Sequence, residues 1–246
     1  MGKIISVVSG KGGTGKTTTV AAIASCLAAL GHKTLCIDFD SGMRNLDLSL
    51  CMTDFAVMDY MDVVSGQLDL MEACTECPQI PNLFFLAAPA DYDPVEPSAE
   101  AMKAMFDGIR NEFDYCLNDS PSGVGVGFRL ATSNADMAII TTVGEIAAMR
   151  DAQLAASIVR SLGVDDLRLL INRVLPKNLK IIRTNLDDVI DAVGIRLIGI
   201  VLEDKAVFRA LHASMPLVLY KKRLAAYDYL DIARRITGED VPLLQR

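Results

Sequence analysis

The chain has 246 residues, of which 51% are hydrophobic and 22% charged, and a formal net charge of −7. That length suits one large core and is short for two full domains. No apolar run nears the roughly 18 residues of a membrane span, and the acidic balance disfavours nucleic acid as a bulk electrostatic partner. The opening Met1-Gly2-Lys3-Ile4-Ile5-Ser6 lacks a signal peptide's apolar stretch and cleavage site. Six cysteines without such a signal point to reduced thiols and a cytoplasmic setting. The same opening fits the N-myristoylation pattern, a match read as accidental because a strand begins at Lys3 and leaves no free tail.

Lys3 to Ser9 reads as a short buried strand, and Thr17 to Leu30 has the apolar content and length of a helix. Between them runs Ser9-Gly10-Lys11-Gly12-Gly13-Thr14-Gly15-Lys16-Thr17-Thr18. Gly10, Gly15, Lys16 and Thr17 meet the phosphate-loop spacing G-x-x-x-x-G-K-[ST], and the flanking strand and helix separate the match from an ordinary glycine turn. Glycines let backbone N–H groups close around phosphate oxygens, and a helix N-terminus adds partial positive charge. Lys16 would reach the β- and γ-phosphates, and the Thr17 hydroxyl would hold Mg²⁺.

A generic phosphate loop needs no second cation, yet Lys11 directly follows its first glycine. The run Lys11 to Thr18 resembles the deviant Walker A loop of the MinD/ParA family of ATPases. The resemblance implies that ATP joins two copies face to face and that Lys11 reaches the partner's nucleotide, in the manner of an arginine finger. A solvated loop lysine is the alternative.

Gly31 stops the first helix, and Lys33 to Asp38 forms a second strand followed by Phe39 and Asp40. A carboxylate just past a strand end in a doubly wound sheet lies where ligands bind. Asp40 would orient the attacking water and Asp38 would support Mg²⁺ through its water shell; a turn aspartate is the alternative for Asp40. The segment Asp38 to Asp47 resembles the family's first switch, which implies Arg44 and Asn45 near the dimer face. Residues 56 to 77 look helical but irregular, broken at Gly66, and end in Cys74-x-x-Cys77. A lone C-x-x-C is a weak metal signal, because zinc sites usually need a second pair. His32 and His212 lack ligand-like spacing.

Asn82 to Ala87 reads as a strand, Ala88 to Pro94 as a loop, and Ser98 to Glu112 as a helix turning Ala101, Met105, Phe106 and Ile109 to the sheet. The strand Phe113 to Asn118 runs into Asp119, the Walker B arrangement with Asp119 placed for the Mg²⁺ water shell. Asp119-Ser120-Pro121-Ser122-Gly123 resembles the family's second switch, and the glycines through Gly127 give the expectation of a mobile one. A strand at Asp136 to Thr142 precedes a helix from Ile146 to Leu162, which by resemblance lies beside the dimer face and meets regulators. Leu167 to Asn172 is a further strand. The resemblance implies that Asn172, followed by Arg173, reads the adenine edge, for which an amide offers both donor and acceptor. Ile195 to Val201 ends at Leu202, where relatives often carry proline, so base recognition departs from the family in detail. Helices follow near Lys205 to Ala213 and Lys222 to Ile236, the last packing Leu224, Tyr227, Leu230 or Asp231, and Ala233 or Ile236 on the body.

Strands alternating with helices specify a single α/β P-loop NTPase domain over residues 1 to 246, with a mostly parallel central sheet and helices on both faces. The resemblance covers nearly the whole chain and implies an ATP-hydrolysing switch using ATP/ADP and Mg²⁺. As a homodimer it would meet a regulatory protein partner and govern division-site placement. Alternatives are a ParA-type or flagellar-number positioning ATPase, a metallocluster carrier using Cys74 and Cys77, and a non-hydrolysing binding module. Family members that act at the inner face of the cell membrane carry a C-terminal amphipathic helix. Leu243-Leu244-Gln245-Arg246 is too short for one, and basic clusters at Lys177/Lys180/Arg183, Lys221/Lys222/Arg223 and Arg234/Arg235 read as solvated faces.

Overall fold

Alternate residues of each central strand feed opposite faces of one sheet. Ile5, Val7, Cys36, Leu117, Ile139 and Leu170 enter one apolar layer. Their neighbours Ile4, Leu35, Ile37 and Cys116, and Val8, Ala138, Ile140, Leu169 and Ile171, enter two clusters on the other side. Strands buried on both faces are what a parallel sheet covered by helices requires. The computed structural model describes residues 1–41, 43–53, 55, 58–90, 96–178, 190–191, 193–220 and 224–243. Among these, β1 (Lys3–Val8), β2 (Thr34–Asp38), β3 (Thr75–Glu76), β4 (Leu83–Leu86), β5 (Tyr115–Asp119), β6 (Met137–Val143), β7 (Asp166–Val174) and β8 (Arg196–Leu202) form one eight-stranded sheet. The order is β3-β4-β2-β5-β1-β6-β7-β8, and only the edge strand β3 runs antiparallel to its neighbour.

Helix α1 (Lys16–Ala29) is buried almost all round, because the sheet, α2 (Leu46–Leu50) and a C-terminal helix all pack on it. The opposite layer holds α5 (Ala99–Glu112), α6 (Val126–Thr132) and α7 (Ile146–Ser161), with α3 (Tyr60–Val64) and α4 (Leu70–Ala73) covering one end. After β8 come α8 (Lys205–His212), α9 (Leu217–Tyr220) and α10 (Leu224–Ile236). Gly2 is seated against the end of α5: its N–H donates to the Arg110 carbonyl at 2.8 Å, and a Cβ there would lie 1.9 Å from the Phe113 oxygen.

Several boundaries differ from expectation. The described part of the stretch expected to be helical, residues 58–77, holds two short helices and the edge strand β3, with Gly66 at φ 74 between the helices; residues 56 and 57 lie outside the described residues. On α5 the buried set is Met102, Met105, Phe106 and Ile109, while Ala101 is only half-buried. Ser98 caps that helix by accepting the Ala101 N–H at 3.1 Å, which sets its rotation. On α10 the buried stripe is Ala225, Ala226, Tyr229, Ile232, Ala233 and Ile236, and Leu224 is exposed. Close fit decides there rather than side-chain size: a Cβ at Gly199 of β8 would lie 2.6 Å from Ile232. The loop at 91–95, Lys180, Arg183, Lys221, Lys222, Arg223, Gly42 and the final residues 244–246 lie outside the described residues.

Candidate nucleotide site

Three strand ends meet at one edge of the sheet. In register, both Val7 of β1 and Asp38 of β2 stand level with Asp119 of β5. The loop from Ser9 to Gly15 leaves β1 there and enters α1 at Gly15, whose φ of 89 is left-handed. No side chain caps that helix start, so its first N–H groups point to an anion site. A Cβ on Gly15 would lie 2.4 Å from Asn172 Nδ2, and one on Gly10 would lie 2.5 Å from the Asp151 carbonyl oxygen of α7. Gly15→Ala therefore meets both strain and a clash. We expect it to weaken nucleotide affinity by about tenfold or more; a fluorescent ATP analogue binding it as tightly as wild type would refute that.

Ser9, which sequence reasoning passed over, organises the loop. Its hydroxyl donates to the Lys11 carbonyl at 2.6 Å and accepts from Lys16 Nζ at 3.1 Å. Lys16 is thereby buried, and desolvation lowers its pKa while the charges of Asp119 and Asp40 oppose that shift. The Lys11 side chain is exposed, with no hydrogen bond or ion pair of its own among the described residues. Gly12 and Gly13 are exposed, Thr14 and Lys16 buried, and Thr17 and Thr18 half-buried along the opening of α1.

The carboxylates hold distinct positions. Asp38 accepts the Asp40 N–H at 2.8 Å and the Leu46 N–H at 3.1 Å, tying the segment after β2 to the strand end. Burial still lifts its pKa to about 6. Asp119 is lifted to about 8, by burial first and by Asp38 second, against a hydrogen bond from Thr17 and the charge of Lys16. One of its oxygens, Oδ1, is buried with no hydrogen-bond partner. An orphaned buried carboxylate oxygen beside a threonine hydroxyl and a second carboxylate suits a divalent cation. Asp40 is half-buried near Lys16; desolvation raises its pKa and Lys16 lowers it.

These shifts fix a pH response. Asp119 has a folded pKa of about 8 against an ordinary 3.8, so between those values the native state holds a proton that the unfolded chain lacks. Stability therefore falls as pH rises through that window. Without metal and nucleotide, we expect a loss on the order of 2 kcal/mol, or about 5 °C in Tm, between about pH 6 and about pH 8. Asp119→Asn should flatten this dependence; an unchanged slope in thermal melts would remove Asp119 as its source.

The second switch is partly a helix. Its loop is confined to Pro121 to Gly125, and Val126 and Gly127 already belong to α6. Asn118 pins α6 to the sheet by donating to the Ala131 carbonyl at 2.7 Å and to Ser6 Oγ at 3.3 Å, and Ser6 Oγ also donates to that carbonyl. At the other end of α6, a Cβ on Gly127 would sit 2.6 Å from Pro121 Cγ and 2.9 Å from the Phe39 oxygen. The two switch segments thus touch through a position that only glycine fits.

On the β7 side of the loop, a bulge late in β7 places Arg173 at φ 56. Asn172 is buried and donates to the Thr14 carbonyl at 2.8 Å, while its Oδ1 accepts from the Arg173 N–H at 2.9 Å and from Tyr229 at 3.4 Å. Arg173 pairs with Glu203 at 3.0 Å and donates to the Gly13 carbonyl at 3.2 Å, closing over the loop. Beside them opens a cleft of about 670 Å³ between α1 (Thr18, Ala21, Ser25) and Leu202, Glu203 and α8. Tyr229 of α10, also unanticipated, links Thr19 at 3.3 Å to Asn172. Cys77 is buried in the apolar layer, and burial pushes the Cys74 thiol up to about 12, which works against a thiolate ligand.

Comparison with known proteins agrees with this geometry. Residues 5–217 match the family described as CobQ/CobB/MinD/ParA nucleotide binding domain. The septum site-determining protein MinD of Synechocystis is 35% identical over 246 residues, covering 99% of this chain and 92% of that protein. The fold superposes on the MinC:MinD cell division protein complex of Aquifex aeolicus with TM-score 0.89 and 33% identity, covering 99% of this chain and 98% of that one. For MinD of Pyrococcus horikoshii complexed with Mg-ADP, the TM-score is 0.79 at 26% identity, with 96% of each chain covered.

Proposed function

The chain belongs to the MinD/ParA family of nucleotide-binding domains, and on that premise we propose that it is an ATP-hydrolysing switch acting in division-site placement. The observation that carries this reading is the convergence of Lys16, Thr17, Asp38, Asp40 and Asp119 at one sheet edge, with Asp119 Oδ1 unsatisfied. The loop N–H groups of Gly12 to Thr18 enclose the phosphates, and Lys16 leaves Ser9 to meet the γ-phosphate. Thr17, Asp119 and Asp38 would hold Mg²⁺, which would supply charge neutralisation to the phosphates. Asp40 orients the attacking water. Asn172 and Arg173 border the base.

Two copies meet across this edge when ATP is bound, each giving Lys11 to the other's γ-phosphate. Loss of that phosphate changes both switch segments together, because Gly127 couples Pro121 to the Phe39 backbone. A protein partner of the kind named in the Aquifex MinC:MinD complex reads the ATP-bound form. Light scattering in Mg-ATP and in Mg-ADP tests the proposal directly. Doubled mass confined to ATP supports it, and equal masses in both nucleotides contradict it.

A further inference from the structure

We propose that Tyr229 tunes base selectivity by holding the Asn172 amide as a donor-only contact, an inference that rests on the nucleotide reading of the site. Asn172 and Tyr229 both line the cleft beside the phosphate loop, together with Gly15 and Leu202. The bonds around the amide fix which way it faces. Nδ2 donates to the Thr14 carbonyl at 2.8 Å, so the nitrogen is turned to the loop. Oδ1 accepts the Arg173 N–H at 2.9 Å and the Tyr229 hydroxyl at 3.4 Å, which occupies both lone pairs of a carbonyl oxygen. What the amide has left to offer is the second N–H of Nδ2.

The direction of the tyrosine proton follows. Asn172 Oδ1 can only accept, so Tyr229 donates to it and accepts in turn from the Thr19 hydroxyl, 3.3 Å away on α1. Tyr229 is buried, and burial pushes its pKa up to about 12, so the hydroxyl keeps the proton it donates. Adenine and guanine both present N7 as an acceptor; beside it adenine has the N6 amino donor and guanine the O6 acceptor. A donor-only amide grips N7 of either purine and is blind to the group that tells them apart. Tyr229 thus cancels the half of an asparagine contact that would favour adenine. Because Tyr229 itself lines the cleft, losing its hydroxyl frees an Oδ1 lone pair there, to accept from N6 of adenine and repel O6 of guanine.

Competition of Mg-ADP and Mg-GDP against a fluorescent ADP analogue on the full chain reads the ratio of their affinities. Diphosphates keep hydrolysis and Lys11 out of the measurement. Tyr229→Phe, which retains the buried ring, should raise the preference for ADP over GDP about fivefold relative to wild type. Thr19→Val removes the other bond of the same hydroxyl and should leave that ratio as in wild type, which separates the donor role from a general loosening of the packing. A second measurement needs no substitution: the side-chain N–H signals of Asn172 in ¹⁵N NMR should shift alike at saturating ADP and GDP. An unchanged or lowered preference in Tyr229→Phe, an equal rise in Thr19→Val, or an Asn172 shift with one diphosphate alone would each overturn the proposal and leave the nucleotide reading intact. Wild-type protein that binds neither diphosphate would sink both.

Discussion

Lys11→Ala should lower ATP turnover by roughly 10³–10⁵, the range measured for cations supplied across an interface to a transferring phosphoryl group. The reason lies in where the loop leaves this side chain. Ser9 accepts from Lys16 Nζ and donates to the Lys11 carbonyl, which on the proposed reading leaves Lys16 to its own subunit's phosphates. The Lys11 side chain projects into solvent with no partner among the described residues of its own chain. On the proposed reading it would supply, across a dimer, the charge that a single subunit does not use. Lys11→Ala should also lose the ATP-linked doubling of mass while keeping nucleotide affinity near wild type. A Lys11→Ala protein that still doubles its mass in ATP would return Lys11 to the status of a solvated lysine.

Asp40→Ala should lower turnover by roughly 10²–10⁴ while sparing ATP binding, as expected for loss of a positioned group that handles the attacking water. Asp40 is held in place by its backbone, since its N–H bonds to the buried Asp38 carboxylate. Its side chain remains half-buried and within the electrostatic reach of Lys16. Asp38→Ala is a different kind of change, because it releases both the Asp40 and Leu46 N–H groups and should loosen the whole segment. Single-turnover rates with matched binding measurements separate the two. Wild-type turnover in Asp40→Ala would remove the water-orienting role.

Much of this was legible before any coordinates, because the phosphate loop is chemistry written in consecutive residues. Gly10 to Thr18 can hardly be anything else between a strand and a helix. Asp119 was visible as the polar end of an apolar strand, and its register with Asp38 and Val7 follows from the strand order. What escaped was carried by distance in sequence. Ser9 binds Lys16 through a turn no pattern encodes, and Tyr229 reaches Asn172 across 57 positions. Gly127 looked like one more loop glycine, whereas its role is a contact with the Phe39 backbone that appears only after β2 and β5 are paired. On the C-terminal helix the expected Ala233 and Ile236 are buried, but Leu224 is exposed, and Ala225, Ala226, Tyr229 and Ile232 complete the stripe, with Tyr229 reaching Thr19 of α1.

The most direct test of the central claim is a mixing experiment. Lys11→Ala and Asp40→Ala proteins are each assayed alone and then combined in Mg-ATP. A mixed dimer contains one site with an intact Asp40 and an intact Lys11 contributed from the other subunit, so turnover should reappear on mixing, up to about half the wild-type rate per dimer. Activity that stays at the sum of the two inactive proteins, at concentrations where wild type dimerises, would contradict a lysine acting across the interface.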